Sequence, residues 1–214
     1  MILIGLTGGI GMGKTTAANL LLQRGLSVVD TDVLARQVVE PGEPAFHEIR
    51  RAFGPEVLGP DGRLRRDELA RQVFSDPARR QQLESIVHPR IRERWLAQAA
   101  SWRSEKKACA VVVIPLLFET NAASSFDVIV CVACSGATQR ARMLGRGLTS
   151  EQIDQRLRAQ WPIEKKMALS HYVVWTEGGL DVLGGQIDRI LARLAGLQPL
   201  SHCNPQRPLP VSSP

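Results

Sequence analysis

Cysteine is scarce in this chain: four among 214 residues, at Cys109, Cys131, Cys134 and Cys203. They are too few and too unevenly spaced for a disulfide framework. Three sit in or beside apolar runs, where cysteine behaves as a small buried hydrophobe, and that usage fits a reducing compartment. Aromatic residues make up only 5%, and they do not interleave with basic residues as single-strand nucleic-acid binders require. No apolar run reaches the roughly 18 residues of a membrane span. The start, Met1-Ile2-Leu3-Ile4, lacks the basic flank and the length of a signal peptide. A soluble, cytoplasmic protein is expected, with no membrane partner. Lysine is rare as well; there are five, and Lys14 is the sole one before Lys106.

What is present is apolar bulk and arginine. At 44% hydrophobic the chain has enough to bury a substantial core. The net charge of +6 fits either nucleic acid or small polyphosphate substrates. With so few aromatics, small anions are the favoured reading and no nucleic-acid partner is expected.

Residues 2–6 form a short apolar run closed by Thr7-Gly8-Gly9 and predict a buried strand. Residues 15–24 predict a helix stopped by Gly25. Further strands are expected over 26–29, 110–114, 128–132 and 172–175, then a helix from Asp181 to Leu194. Strands apolar throughout and separated by helical patterns imply an α/β fold, a five-stranded parallel sheet covered by helices. The gap from 33 to 108 is too long for one crossover, so part of it predicts an inserted helical subdomain, placed at 53–107. The core then comprises 1–52, 108–136 and 171–195, with a basic helical segment over 137–170. Residues 196–214, rich in Pro and Ser without periodicity, predict a disordered tail.

One motif carries chemistry directly. Gly8-Gly9-Ile10-Gly11-Met12-Gly13-Lys14-Thr15 fits Gly-x-x-x-x-Gly-Lys-Ser/Thr at every defined position, between an expected strand and an expected helix. Glycines let successive backbone N–H groups turn toward phosphate oxygens, and the helix N-terminus adds partial positive charge. Lys14 reaches the β- and γ-phosphates, and the Thr15 hydroxyl is placed to ligate Mg²⁺. A chance match in a chain of this length is roughly a one per cent event. The motif predicts a bound nucleoside triphosphate with Mg²⁺.

Other candidates carry two readings each. Asp30 and Asp32 end the second strand, at the edge of a parallel sheet where ligands bind, and i, i+2 residues of an extended segment face one way. A carboxylate there accepts the proton of an acceptor hydroxyl or orients Mg²⁺ through water; alternatively Asp32 caps a helix beginning at Val33. Arg142 and Arg146, one turn apart on a helix face, either stabilise a transferring phosphoryl group from a lid or form a solvated basic face. His88, before Pro89, either contacts substrate or ends a helix. The pair Cys131-Val132-Ala133-Cys134 stands alone at a strand end and is discounted as a zinc or redox site. Leu183-Gly184-Gly185-Gln186 is discounted as a chance likeness to a transporter signature loop. The chain lacks the base-reading motif of guanine-nucleotide switches, and its third strand ends at Pro115 without an acid.

Together, Gly5 through Thr15, Asp30-Thr31-Asp32, Ala35-Arg36-x-Val38-Val39-x-Pro41-Gly42, Asp61-Gly62-x-Leu64-x-Arg66, Val73-Phe74, His88-Pro89-x-Ile91 and Pro115-Leu116-Leu117-Phe118-Glu119 resemble the dephospho-CoA kinase family. The resemblance covers residues 1 to 195. It implies an ATP-dependent kinase acting on the ribose 3′-hydroxyl of dephospho-CoA, the last step of coenzyme A synthesis. It also implies a P-loop kinase core, a helical CoA-side domain over 53–107 and a lid over 137–170. By position it makes Asp32 the general base and puts Lys14 and Arg142 in catalysis. It places ATP on Gly9, Gly11, Met12, Gly13, Lys14, Thr15 and Thr16 with Arg142 and Arg146, the metal on Thr15, and the acceptor near Asp32, His88 and Leu117. Departures are Met12 in place of Ser, Gly147 where an acid or Asn follows the lid arginine, and Thr176-Glu177 in place of an Asn-containing turn. Alternatives are a kinase for another small acceptor, such as a nucleotide or sugar acid, and a nucleotide-dependent RNA-binding protein.

Overall fold

A computed structural model describes residues 1–196. The elements in order are β1 (Ile2–Gly8), α1 (Lys14–Gln23), β2 (Ser27–Asp30), α2 (Thr31–Gln37), α3 (Pro44–Phe53), α4 (Arg66–Ser75) and α5 (Pro77–Ser104). There follow β3 (Cys109–Val113), β4 (Val128–Ala133), α6 (Gly136–Leu144), α7 (Ser150–Arg158), α8 (Ile163–Ala168), β5 (Tyr172–Trp175) and α9 (Leu180–Gly196). All five expected strands form, in the order β2-β3-β1-β4-β5, a parallel sheet as the apolar runs predict. Ile4 aligns with Val111 of β3 and Leu6 with Val130 of β4.

Side-chain alternation sends Ile4, Leu6, Val111 and Val130 into one core with Ala17 and Leu21 of α1 and Ile187 of α9. The opposite face carries Gly5, where a Cβ would lie 2.6 Å from Leu117 Cδ1 and 2.9 Å from the Phe126 ring. A side chain there would displace the packing of the segment after β3.

The chain divides into two compact units, Met1–Val28 with the chain from Trp102 onward, and Val29–Ser101. The second unit is helical and takes in α2, α3, α4 and most of α5, so its bounds differ from the 53–107 expected for a helical subdomain. The second unit has its own core of Ile49, Phe53 and Val57, with Leu69, Leu83 and Ile86 against it. Arg79 stacks its guanidinium 5.4 Å from the Phe53 ring centroid. Helix α5 continues through His88 and Pro89, so His88 does not end a helix. Within the segment 137–170 expected as a lid, α8 packs on the sheet: Ile163 and Met167 lie against Met12, Ala133 and Cys134. The tail expected at 196–214 lies outside the described residues except for Gly196, the last residue of α9.

Candidate active site

The loop between β1 and α1 has the geometry its glycines require. Gly13, the residue before α1, is left-handed at φ 90 and ψ 19, a conformation that costs any residue with a Cβ. At Gly8 a Cβ would meet the Val132 carbonyl oxygen at 2.2 Å, so the strand-to-loop turn tolerates no side chain. Beyond Gly13, the N–H groups of Lys14, Thr15 and Thr16 belong to the first turn of α1, which has no intrahelical acceptors. The Lys14 ammonium folds over the loop, donating to the carbonyls of Gly8 at 2.9 Å and Gly9 at 2.8 Å. Gly9 and Met12 are buried while Thr15 is exposed. These features assemble donors and positive charge for a polyphosphate.

Side chains from later in the chain brace this loop. Gln139 of α6 donates from Nε2 to the Ile10 carbonyl at 2.7 Å, and Ile10 N–H donates to Gln160 Oε1 at 3.1 Å. Thr176, just past β5, donates its hydroxyl to the Met12 carbonyl at 3.0 Å. Arg142 donates to the Thr176 hydroxyl at 2.7 Å and to the Thr176 carbonyl. Arg142 is thus tied through one threonine to the phosphate loop. Arg146 is not its partner on a helix face, because α6 stops at Leu144; it is exposed in the turn that closes at Gly147. Gly147 has φ 80, a left-handed position that Asn also tolerates. Glu177 accepts from Ser135 N at 2.9 Å and Thr138 Oγ1 at 2.8 Å. Those bonds hold its carboxyl below the usual range.

The acids after β2 divide their roles differently from the expectation. Helix α2 begins at Thr31, and Asp30 caps it, accepting from Asp32 N at 2.8 Å. Asp32 is in the first turn, helical rather than extended, and its side chain is exposed. The cap is Asp30, not Asp32. His88 is half-buried in α5. Leu117 is fully buried, with its Cδ1 against Gly5, so its side chain faces the core. Cys131 and Cys134 are buried. Burial pushes the Cys131 thiol up to about 11 and raises that of Cys134, the reverse of what a reactive thiol needs.

Sequence reasoning missed Gln139 and Gln160, for which no local pattern exists, marked Thr176 only as a departure after the fifth strand, and also missed a buried cation. Lys166 has no exposed side-chain surface and pairs with Glu119 Oε1 at 2.7 Å. The faint signal was its place: in α8, Ile163, Lys166 and Met167 fall on one helix face at i, i+3 and i+4. Among the described residues no helix is long and apolar enough to cross a membrane.

A family model for dephospho-CoA kinase matches residues 2–181. A dephospho-CoA kinase of Anaeromyxobacter dehalogenans is 45% identical over 197 residues, 92% of this chain and 93% of its own length. One from Shouchella clausii is 40% identical over 193 residues, 90% of this chain and 98% of its own. Among solved structures, TT1252 from Thermus thermophilus superposes with a TM-score of 0.78 at 36% identity, covering 90% of this chain and 97% of that one. The dephospho-CoA kinase from Campylobacter jejuni shares the fold, with a TM-score of 0.68 at 21% identity over 91% and 97% of the two chains. With its phosphate loop, its parallel sheet and these relatives, the chain belongs to the dephospho-CoA kinase family.

Proposed function

We propose that this protein transfers the γ-phosphoryl group of ATP to the ribose 3′-hydroxyl of dephospho-CoA, releasing ADP and coenzyme A. The observation that carries the reading is the braced loop from Gly8 to Thr15, with Lys14 folded over it and Arg142 tied to it, in a chain of this family. Phosphoryl transfer asks for positioning and charge stabilisation more than for covalent chemistry. In this reading the amides of Gly9, Gly11, Met12, Gly13, Lys14, Thr15 and Thr16 hold the β- and γ-phosphates. Lys14 and Arg142 offset the charge that develops on the transferring group, with Arg146 adding to the lid's positive charge. Asp32 accepts the hydroxyl proton. His88 and the main chain around Leu117 are assigned to the acceptor side.

Mg²⁺ fits the residues present. It takes one or two protein ligands and leaves the rest to phosphate oxygens and water, and the hydroxyl of Thr15, exposed in the first turn of α1, would serve as one. Held there, the ion would supply positive charge that offsets the charge of the triphosphate. A cytoplasmic location accords with a reaction between two soluble, anionic metabolites.

The test is ADP release coupled to an optical readout, with Mg·ATP and, in turn, dephospho-CoA, a panel of nucleotides and sugar acids, or RNA. ADP formation that depends on dephospho-CoA is the expected result. Turnover with another acceptor alone would move the substrate assignment, and salt-sensitive RNA binding without acceptor-dependent ADP would replace the reading.

A further inference from the structure

Glu119 closes the motif Pro115-Leu116-Leu117-Phe118-Glu119, and nothing above gives it a task. Its Oε1 pairs with the buried Lys166 ammonium at 2.7 Å and accepts from Trp161 N at 2.9 Å. Lys166 also donates to the Pro115 carbonyl at 2.8 Å. That carbonyl accepts from the buried Thr7 hydroxyl at 3.3 Å, one residue before the phosphate loop. Next to Trp161, Gln160 receives the Ile10 N–H of the loop itself. Phe118 stacks on Trp161, their rings 1° from parallel with centroids 6.4 Å apart. Three stretches are therefore bonded in a ring: the phosphate loop with its strand, the segment after β3, and the link from α7 to α8.

Stability does not account for the ion pair at its centre. A buried ion pair commonly gains nothing over an apolar pair of similar volume, because desolvation offsets the attraction. Among the described residues Glu119 Oε2 is buried and finds no partner within the protein, and such an atom adds a desolvation cost. What charge-assisted bonds do supply is directional geometry. Apolar side chains in their place would let the three stretches slide against one another.

We infer that Glu119 and Lys166 are positioning residues for phosphoryl transfer, holding Pro115–Glu119 in place relative to the phosphate loop and so setting where the acceptor meets the γ-phosphoryl group. The segment suits that role because β3 and β1 are neighbours, and ligands of parallel sheets bind at the carboxyl ends of the strands. Both side chains are largely buried, so the role assigned to them acts through the segments they hold. The inference rests on the kinase reading above.

The test compares the wild type with Glu119→Leu, Lys166→Met, the double variant and Glu119→Asp. Melting temperature, kcat and both KM values are measured for each. The single apolar variants leave a buried charge unpaired and melt lower. The double variant recovers most of the lost melting temperature, yet its kcat stays down by roughly tenfold or more, with KM for dephospho-CoA raised and KM for ATP within about twofold. Wild-type kcat and acceptor KM in a folded double variant overturn the inference. Glu119→Asp keeps the charge but withdraws the carboxylate by one methylene. It is expected to fold and to lose turnover by several-fold, and unchanged kinetics in it overturn the inference even where the double variant does not fold. A wild type that forms no ADP with dephospho-CoA refutes the kinase reading itself, whereas an active wild type with indifferent variants refutes the positioning role alone.

Discussion

Asp32 shows how far a single residue is readable before the chain is folded. Its neighbourhood, two acids at a strand end, marked it as a proton acceptor or a helix cap. The structure gives the capping bond to Asp30 and leaves Asp32 exposed in the first turn of α2, where a carboxylate also complements the helix dipole. If Asp32 is the base, Asp32→Asn keeps the fold and ATP affinity within about twofold, while kcat drops by roughly 10²- to 10⁴-fold, the range of general base catalysis. Steady-state kinetics alongside nucleotide titration reads both quantities. Turnover near the wild-type level would reduce Asp32 to a helix-end charge. Lys14 and Thr15 were legible because their motif is local: eight consecutive residues contain the whole geometric requirement. Gln139, Gln160 and Thr176 brace the same loop from more than 100 residues away. Nothing in their sequence neighbourhoods records a bond made across the fold.

At the scale of elements, apolar runs were sufficient to find all five strands: β1, β3 and β4 are buried almost throughout, and the edge strands β2 and β5, only partly buried, still carry Val-rich runs. Helices were harder to bound. One of the two readings of His88 before Pro89 was a helix end, but α5 passes through both, because tertiary packing supports a helix that local propensity would break. The opposite case is α7, whose start is written in four residues. Thr149 accepts from Gln152 N at 3.3 Å, and Gln152 Oε1 receives Thr149 N–H at 3.0 Å, a reciprocal capping box. Thr149→Ala removes one half and is expected to lower stability by about 1 kcal/mol, measured by urea unfolding. A loss below a few tenths would mean that α7 frays without consequence for the fold. Helix α8, within the segment 137–170 expected as a lid, buries Lys166 and packs on the sheet.

For the molecule as a whole, one histidine links stability to pH. His171, just ahead of β5, accepts the Ile129 N–H on Nδ1 at 3.0 Å, and burial of the ring lowers its pKa below the usual 6.5. The folded protein therefore favours the neutral ring, and the unfolded chain takes up the proton at a higher pH. The contribution is intact above about pH 6.5 and is lost as pH falls from there through the lower folded value. Melting temperatures between pH 8 and 5 should show this decline, and His171→Asn, whose amide oxygen still accepts the Ile129 N–H, should flatten it. Parallel curves for the two proteins would remove His171 from the account.

By itself the sequence determined the α/β class, the five strands, the phosphate loop and, through its motif set, the family, because each depends on contiguous residues or on patterns repeated at short range. Tertiary structure alone decided that the second compact unit begins at Val29, that Arg142 is held by Thr176, that Asp30 rather than Asp32 caps α2, and that a lysine is buried against Glu119. The physical reason is the same in each case. A backbone conformation is chosen by neighbours a few residues away, whereas the partner of a side chain is chosen by whichever distant segment packing brings within about 3 Å.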